Sequence, residues 1–132
     1  MNTISLAAYI LRNWEPAQSW DRSQLVPWVD WFVDDQRIVT VQREGRIVGL
    51  GMGRCLKTQD DHDQPYAHTE DGEHAWIDLI ISKDKHVGSI LWDAMLERFG
   101  TKKTLGFQRQ LKPNSKVRFH NFNQMQRIMC HG

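Results

Sequence analysis

The chain has 132 residues, which predicts one domain around one hydrophobic core. It has no apolar run as long as a membrane span and no signal peptide at its N-terminus, so we predict a cytoplasmic protein without membrane contact. Cys55 and Cys130 lack any metal or redox spacing, which predicts two free thiols and no metal site.

The net charge of +1 is distributed unevenly. Residues 98–132 hold eight Lys/Arg and no acid, whereas residues 1–97 hold all sixteen acids and nine Lys/Arg. A basic segment of this kind predicts an anionic partner: a phosphorylated cofactor, an acidic carrier protein or a nucleic acid. The alternative is internal pairing with the acidic part of the chain. Because no RNA- or DNA-binding motif is present, nucleic acid is the least favoured partner.

Two helices are predicted at the N-terminus, over residues 4–14 and from Asp21 or Ser23 to Val33. Pro27 fits the first turn of the second helix. The second helix and the segment before it carry three tryptophans, Trp20, Trp28 and Trp31. At helical spacing these are typical of a core, and the alternative is an aromatic-walled acyl or substrate groove.

A β-hairpin is predicted next, with strands over residues 38–42 and 47–56 and a glycine-containing turn between them. Gly49, Gly51 and Gly53 share one face of the second strand, where either a packed helix or a flat ligand comes close. Residues 58–73 are polar and rich in Asp, Glu and His. They indicate a solvated, mobile loop, a substrate-gating loop or a divalent-metal site, although the spacing matches no metal motif.

Residues 75–81 form an apolar strand interrupted by Asp78, and we expect it to be the most buried strand. Alternation places Asp78 on the face of Trp76 and Ile80. A buried carboxylate needs a partner, and burial raises its pKa. Asp78 is therefore either a general base for an amine or a structural lock held by an arginine or another donor.

A helix is predicted after four polar residues, with an apolar stripe from Val87 and an end near Phe99. The first N–H groups of such a helix attract anions. A strand over residues 104–110 is expected to lie parallel to residues 75–81. A final helix is predicted from Asn114 or Ser115 to about Met129, with Val117 and either His120 or Asn121 on its inner side.

The segment Lys83-Asp84-Lys85-His86-Val87-Gly88-Ser89 resembles the Arg/Gln-x-x-Gly-x-Gly/Ala loop of the GNAT N-acyltransferase superfamily. The resemblance implies that this loop binds the pyrophosphate of coenzyme A, through Lys83, Lys85, His86, Val87, Gly88 and Ser89. Asn114-x-x-Val117 resembles the start of the last GNAT helix. Many members carry a tyrosine general acid there, and His120 and Asn121 are the nearest residues of this chain. His86 stands at a glycine position, so we predict weak binding of coenzyme A.

A narrower resemblance is to the toxin-activating lysine acyltransferases, which take a fatty acyl group from acyl carrier protein. Its motifs are Ile77-Asp-Leu-Ile80, Glu97-Arg-Phe99, Phe107-Gln-Arg109 and Lys116-Val-Arg-Phe-His120. Asp78 matches the aspartate of that family's catalytic pair. The matching N-terminal segment, Leu11-Arg-Asn-Trp14, contains no histidine.

The predicted fold is α/β, a single-domain GNAT-like mixed β-sheet flanked by helices and shortened at the C-terminus. The resemblance implies acyl transfer from acyl-CoA or acyl carrier protein to an amine of a small molecule or a protein, with Asp78, His120 and Asn121 as catalytic residues. The alternative is a non-catalytic GNAT-like binding module that docks an acidic protein through the basic C-terminal third.

Overall fold

Within the described residues, five strands form one mixed sheet between two helical layers. The structure is a computed structural model that describes residues 2–107 and 117–131, without the side chains of Cys130 and His131. The strands are β1 (Ile38–Arg43), β2 (Arg46–Leu56), β3 (His74–Ser82), β4 (Thr104–Phe107) and β5 (Arg118–Asn121). The α-helices are α1 (Thr3–Asn13), α2 (Arg22–Asp34), α3 (Lys85–Phe99) and α4 (Phe122–His131), with 3₁₀ helices at Glu15–Ser19 and Gln59–Asp63.

The strand order is β1-β2-β3-β4-β5. All neighbours are antiparallel except β3 and β4, which run parallel with His74 opposite Thr104 and Ile77 opposite Phe107. The crossover between them is α3, which begins directly after β3. The predicted parallel pairing of the central strand with the strand after the helix is therefore confirmed.

The glycines of β2 face helix α3. A Cβ atom on Gly49 would meet Val87, and one on Gly51 would lie 2.9 Å from the sulfur of Met95. Close helix packing, rather than a flat ligand, thus occupies this face. The opposite face packs on α1 and α2 through a cluster that includes Leu50 and Met52.

Helix α2 begins earlier than a position of Pro27 in its first turn would require. Asp21 caps it by accepting a hydrogen bond from the Ser23 N–H at 3.0 Å, and Pro27 is the sixth helical residue. The first-turn prediction for Pro27 is therefore wrong, because the aspartate cap sets the start of the helix.

The predicted burial order of the strands is also wrong. Residues 49–56 of β2 are all buried, whereas Asp78, Ile80 and Ile81 of β3 are half-buried. Strand β2 is enclosed because α3 packs against its glycines while α1 and α2 cover its large side chains.

The final predicted helix is wrong in its first part. Residues 118–121 form β5, which pairs with β4, and helix α4 begins only at Phe122. Pairing with the free edge of β4 outweighs the helical spacing of Val117 and Asn121. Several predictions lie outside the described residues: the strand end at 108–110, the helix start at Asn114 or Ser115, the motif residues Arg109 and Lys116, and the Cys130 thiol.

Candidate functional site

A buried ion pair joins the two inner strands β2 and β3. The Nε atom of Arg54 lies 3.1 Å and 3.3 Å from the two carboxylate oxygens of Asp78. The Arg54 side chain is 4 % exposed and that of Asp78 is 12 % exposed. Removing both charges from water is costly, so the pair depends on matched hydrogen bonds. Asp78 thus has the arginine partner that a structural lock requires.

The remaining donors of Arg54 bind the loop that follows β2. Its Nη1 donates to the carbonyl oxygens of Gln64 at 2.8 Å and Ala67 at 3.1 Å, and its Nη2 donates to that of His62 at 3.0 Å. The His62 ring also stacks on Trp76 of β3, with centroids 4.6 Å apart. Residues 62–67 therefore form a structured cover that Arg54 holds on the sheet, while residues 63–66 are exposed to solvent, as the composition of the loop indicates.

Burial raises the pKa of Asp78 to about 6, against the opposing effect of the Arg54 charge. At neutral pH the carboxylate is still ionised and paired. The groove between Trp20 and Tyr66 and the one between Val33 and Arg98 do not include Asp78 in their walls. This geometry favours the structural lock, and the role of Asp78 as a general base stays a prediction.

Asp78 lies at a bulge in β3. Met52 pairs with Leu79 and Gly53 pairs with Ile77, so Asp78 has no partner in the register of β2. The extra residue reverses the alternation of faces. Ile77 belongs to the cluster under α3 and α4, whereas Leu79 belongs to the cluster under α1 and α2.

The bulge corrects one predicted neighbour of Asp78. Ile80 packs against the cluster under α3 and α4. Asp78 instead contacts Arg54, on the face opposite that of Gly53. The expected shared face with Ile80 is therefore wrong, because a bulge is invisible in a simple period of two.

The other two predicted catalytic residues lie on β5. The His120 ring stacks on Phe107, with centroids 5.6 Å apart, on the side of α3 and α4. The Asn121 side chain accepts a hydrogen bond from the Gln124 N–H at 2.9 Å and so caps α4. Asp78 lies on the face of the sheet opposite the His120 ring, and β5 is two strands away from it, roughly 10 Å by strand spacing alone. The structure does not bring the three residues together, and their catalytic roles stay predictions.

The predicted anion loop does meet a helix start. Asp84 caps α3, because its carboxylate accepts a hydrogen bond from the Val87 N–H at 2.9 Å. Arg43 lies 3.3 Å from the same carboxylate. The Val87 hydrogen bond, helped by Arg43, lowers the pKa of Asp84. A negative charge therefore already occupies the helix end where a phosphate would bind.

The side chains of the loop differ in exposure. Lys83, Lys85 and His86 are exposed, Ser89 is half-buried, and Val87 and Gly88 are buried. A Cβ atom on Gly88 would have only ordinary contacts, the nearest being 3.7 Å from the Ser82 hydroxyl. Two lysines thus flank the helix start, and the buried part of the loop faces the protein interior.

A second charged cluster links α2, α3 and the loop. Arg98 donates to both carboxylate oxygens of Glu70 at 3.0 Å and 3.1 Å and to the carbonyl oxygens of Asp35 and Gln36. The hydrogen bonds from Arg98, and then its charge, lower the pKa of Glu70. Arg37 bonds the Asp35 carboxylate at 2.8 Å. Arg98 therefore pairs internally, as expected if the basic segment is neutralised by the acidic part of the chain.

Asp35, His68 and Glu70 offer ligand atoms within 4.8 Å of one another, which is the spacing of a metal site. His68 does not suit such a site, because its Nδ1 accepts a hydrogen bond from the Cys55 N–H at 3.0 Å. That bond places the ring proton on Nε2, the atom that faces Glu70 at 3.7 Å. Burial also lowers the pKa of His68. With Arg37 and Arg98 beside the carboxylates, the cluster is an ion-pair network.

Sequence reasoning missed Arg54 and Arg98. Arg54 is the one charged residue inside the apolar run of residues 47–56, and Asp78 is the one charged residue inside residues 75–81. Two opposite charges in neighbouring buried strands are a usable signal for a pair. Nothing local marks Arg98, because its partners lie 28 residues or more away in the chain.

Two other basic residues point to solvent. Arg118 on β5 and Arg127 on α4 are exposed, and neither has an acidic partner among residues 2–107 and 117–131. Lys102, in contrast, reaches the Glu70 carbonyl oxygen at 3.4 Å. Among the described residues of the basic C-terminal third, the fold therefore neutralises only some of the charges. No described helix has the length and apolar character that crossing a bilayer requires.

The sequence matches no protein-family model and no curated protein at a significant level. Solved structures are similar in fold. The loading GNATL domain of CurA from Lyngbya majuscula superposes with a TM-score of 0.62 and 16 % identity, over 85 % of this chain and 62 % of that one. The GphF GNAT-like decarboxylase, in complex with isobutyryl-CoA, gives 0.60 and 16 % identity, over 84 % and 63 % of the two chains.

An acetyltransferase structure gives a TM-score of 0.50 at 16 % identity, over 96 % of this chain and 80 % of that one. The chain spans about three fifths of the length of the CurA and GphF domains. At these identities the likeness concerns the fold, which is GNAT-like. The predicted fold class is thereby confirmed.

Proposed function

We propose that this chain handles acyl thioesters, transferring an acyl group from acyl-CoA or an acyl carrier protein to an amine. The observation that carries the proposal is the unit formed by β3, a short polar loop and α3, with parallel β4 beside β3. This unit places Lys83 and Lys85 at the start of α3, where positive charge and backbone N–H groups favour a phosphate. The similar GphF domain is in complex with isobutyryl-CoA, which supports a donor of this type.

In the proposed reaction the amine nitrogen attacks the thioester carbonyl carbon and forms an amide bond. The carbon–sulfur bond breaks, the departing thiolate takes one proton, and the nitrogen, which becomes positively charged on attack, loses one. We assign to Asp78 the role of orienting Arg54, which in turn holds the loop that follows β2. Asp78 acts as a base only when its ion pair with Arg54 is broken. His120 is the candidate for protonating the thiolate, because it is one of the two residues nearest the tyrosine position of the resembled family. Asn121 contributes by capping the helix that follows.

If the start of α3 binds the donor, the carboxylate of Asp84 repels the phosphate groups of coenzyme A. Asp84→Asn keeps a good helix cap while removing the charge, so we expect coenzyme A to bind about three- to tenfold more tightly. His86→Gly is expected to add to this gain by restoring the glycine position of the resembled loop. Calorimetric titration of coenzyme A measures both effects.

Asp93→Asn is the matched control, since Asp93 is exposed on the same helix and carries the same charge. It is expected to leave the affinity within about twofold of the unmodified chain, because its carboxylate lies further along α3. Equal effects of the two asparagine variants, or no binding by any of them, would exclude a donor site at the start of α3. Thiol release from acetyl-CoA in the presence of an alkylamine tests the transfer itself.

A second function is supported by the two exposed arginines. Arg118 and Arg127 lie on β5 and α4 without described acidic partners. This surface suits a non-catalytic module that docks an acidic protein, and acyl carrier protein is a partner of that charge. Docking of this type differs from transfer because it does not involve the start of α3, so the charge of Asp84 should not affect it.

A further inference from the structure

Strand β1 forms one edge of the described sheet, where its only neighbour is β2. Gly53 donates its N–H to the carbonyl oxygen of Arg37, 3.1 Å away, and the register places these two residues opposite each other. Because the bonding direction alternates along an antiparallel strand, the N–H and C=O groups of Ile38 and Thr40 point away from β2. No backbone group of the described residues bonds to them.

This edge lacks the features that normally protect a free strand. Natural proteins protect edge strands with lysine, proline, bulges or short length, because unpaired strands bind other strands. The segment from Ile38 to Val41 has three apolar β-branched residues and one threonine, and the irregularity of the β1–β2 register comes after Val41. Strand β5, at the other edge, has four residues and carries Arg118. Strand β1 is therefore the edge suited to pairing with a further strand.

An open groove of about 590 Å³ lies beside β1. Its lining includes Ile38, Val39 and Thr40 of the strand, together with Val33 of α2 and Ala94 of α3. An added strand directs alternate side chains to the two faces of the sheet, here towards α2 and towards α3. The groove therefore offers apolar surface on both sides of the open backbone groups.

One wall of the groove carries an unbalanced charge. Glu97 is an exposed lining residue without a basic partner among residues 2–107 and 117–131. Arg98, the other charged lining residue, is already bonded to Glu70. An occupant of this edge that carries a positive charge near Glu97 would thus be favoured over one that does not.

Strand β1 itself carries a positive charge on the matching face. Val39 packs in the cluster under α3 and α4, so the odd-numbered residues of β1 face α3. Arg43 is one of them, with a side chain that is 41 % exposed. Glu97 lies near the first residues of β1, and Arg43 is the last. The two charges therefore stand towards opposite ends of one face.

We propose that β1 pairs with β1 of a second copy of this chain, antiparallel and centred on Thr40. In this register Thr40 lies opposite Thr40 of the second copy, and Ile38 lies opposite Gln42. Arg43 of each copy then lies opposite residue 37 of the other, beside Glu97. The two-fold axis repeats this contact, so the interface is complementary to itself in both hydrogen bonds and charge.

Helix α3 leaves room for this pairing. It packs over the glycines of β2, where a Cβ atom on Gly51 would lie 2.9 Å from the sulfur of Met95. In the dimer the two β2 strands are three strand spacings apart, roughly 14 Å. Packed helices need only about 8–10 Å between their axes. The two α3 helices therefore do not collide, and the side chains of Glu97 and Arg43 fill the space between them.

Sedimentation equilibrium from roughly 5 to 500 µM measures the association, which should be weak because one strand pair is a small interface. We expect a monomer at the low end of this range and a dimer at the high end. Amide hydrogen exchange then locates the contact. The Thr40 N–H should gain protection only in the concentrated sample, whereas those of Val39 and Val41 face β2 and should be protected in both.

Thr40→Pro removes the outward N–H without breaking a hydrogen bond to β2, and proline is tolerated at such edge positions. It is expected to weaken dimerisation about tenfold or more, because the missing donor and the ring both oppose pairing. Thr40→Val is the matched control. It keeps the N–H, so its dissociation constant should stay within about threefold of that of the unmodified chain.

A charge exchange tests the register without relying on the fold of the proline variant. Glu97→Lys and Arg43→Glu are each expected to weaken the dimer about three- to tenfold, and the double variant should restore most of the loss. Asp60→Lys makes the same charge change as Glu97→Lys at an exposed position of the Gln59–Asp63 helix and should leave the association within about twofold.

A monomer at every concentration would overturn the inference and leave the edge to an extended segment of a different protein. A folded Thr40→Pro that dimerises as before would place the interface elsewhere, and so would equal losses in the proline and valine variants. A double charge variant no stronger than the single ones would exclude the register centred on Thr40. None of these results bears on acyl transfer, which the inference does not require.

Discussion

At the scale of single residues, the charge of Asp78 is the feature with the largest energetic consequences. A buried carboxylate without a partner would neutralise itself by a large rise in pKa. Arg54 limits that rise, so the pKa of Asp78 reaches only about 6. The pair is thus ionised at neutral pH, while mild acid protonates Asp78. A side chain that titrates in this range links the stability of the protein to pH.

The sign of this linkage gives a prediction. The folded state binds the Asp78 proton more tightly than the unfolded chain, whose aspartate has the ordinary pKa of 3.8. The contribution of Asp78 to stability is therefore fully present below about pH 4 and is lost as pH rises through about 6. We expect the free energy of unfolding, relative to that of Asp78→Asn, to fall by about 1–3 kcal/mol between pH 4 and pH 7.

Denaturant unfolding of both proteins across this pH range measures the difference. Subtracting Asp78→Asn removes the opposite trends of Glu70 and Asp84, whose pKa values are lowered and which are common to both proteins. A difference that stays constant or grows with pH would show that Asp78 does not carry a raised pKa.

At the scale of elements, the segment from Gln59 to Ala67 depends on one side chain from the strand beneath it. Arg54 donates to three carbonyl oxygens of this segment and to Asp78. A lysine at this position has three donors on one nitrogen and cannot reproduce the planar fork. The conformation of residues 59–67 therefore depends more on Arg54 of β2 than on the sequence of the segment itself.

Arg54→Lys is expected to lower the free energy of unfolding by about 3–5 kcal/mol, because it leaves buried carbonyls and Asp78 poorly matched. Amide hydrogen exchange should show the largest loss of protection in residues 59–68. Arg46→Lys, at the exposed start of the same strand, is the control and should change stability by less than about 0.5 kcal/mol. Uniform loss of protection over the whole sheet would contradict a local role for Arg54.

At the scale of the whole molecule, the order of elements from α1 to β4 followed from hydrophobic periodicity. The strand, polar loop and helix around Asp78 and Gly88 predicted the parallel pairing that the structure shows. Periodicity sufficed there because each element buries one continuous face. The three glycines of β2 were also informative, since close packing of α3 is one of the two explanations that they allowed.

The remaining features depend on contacts between distant residues. Residues 118–121 have a helix-compatible spacing and become a strand only because β4 offers them a free edge. The bulge at Asp78 arises from the register against β2, which no local pattern encodes. Likewise, His120 and Asn121 were aligned with a helix and lie on β5, where the His120 ring packs on the face of the sheet opposite Asp78. The sequence indicated that Asp78 is a buried carboxylate in need of a partner, but it identified neither Arg54 as that partner nor the placement of His120 and Asn121 on β5.

The distribution of charge over the molecule indicates where an acidic protein would dock. Arg118 and Arg127 are exposed in the basic C-terminal third, whereas Arg98 is neutralised by Glu70. If this surface docks an acyl carrier protein, Arg118→Glu/Arg127→Glu should weaken binding about tenfold or more, mainly by slowing association, and added salt should weaken binding to the unmodified chain.

Arg12→Glu/Arg22→Glu makes the same change of net charge at two exposed positions of α1 and α2, and surface-plasmon measurements at low and high salt compare the two double variants. The variant on α1 and α2 is expected to bind within about twofold of the unmodified chain, because charges beyond a Debye length of about 10 Å are screened. Equal weakening by both would mean that the carrier senses only net charge. The docking function would then be excluded for this surface. Transfer from coenzyme A would not be affected by that result, because the Asp84→Asn titration tests it separately at the start of α3.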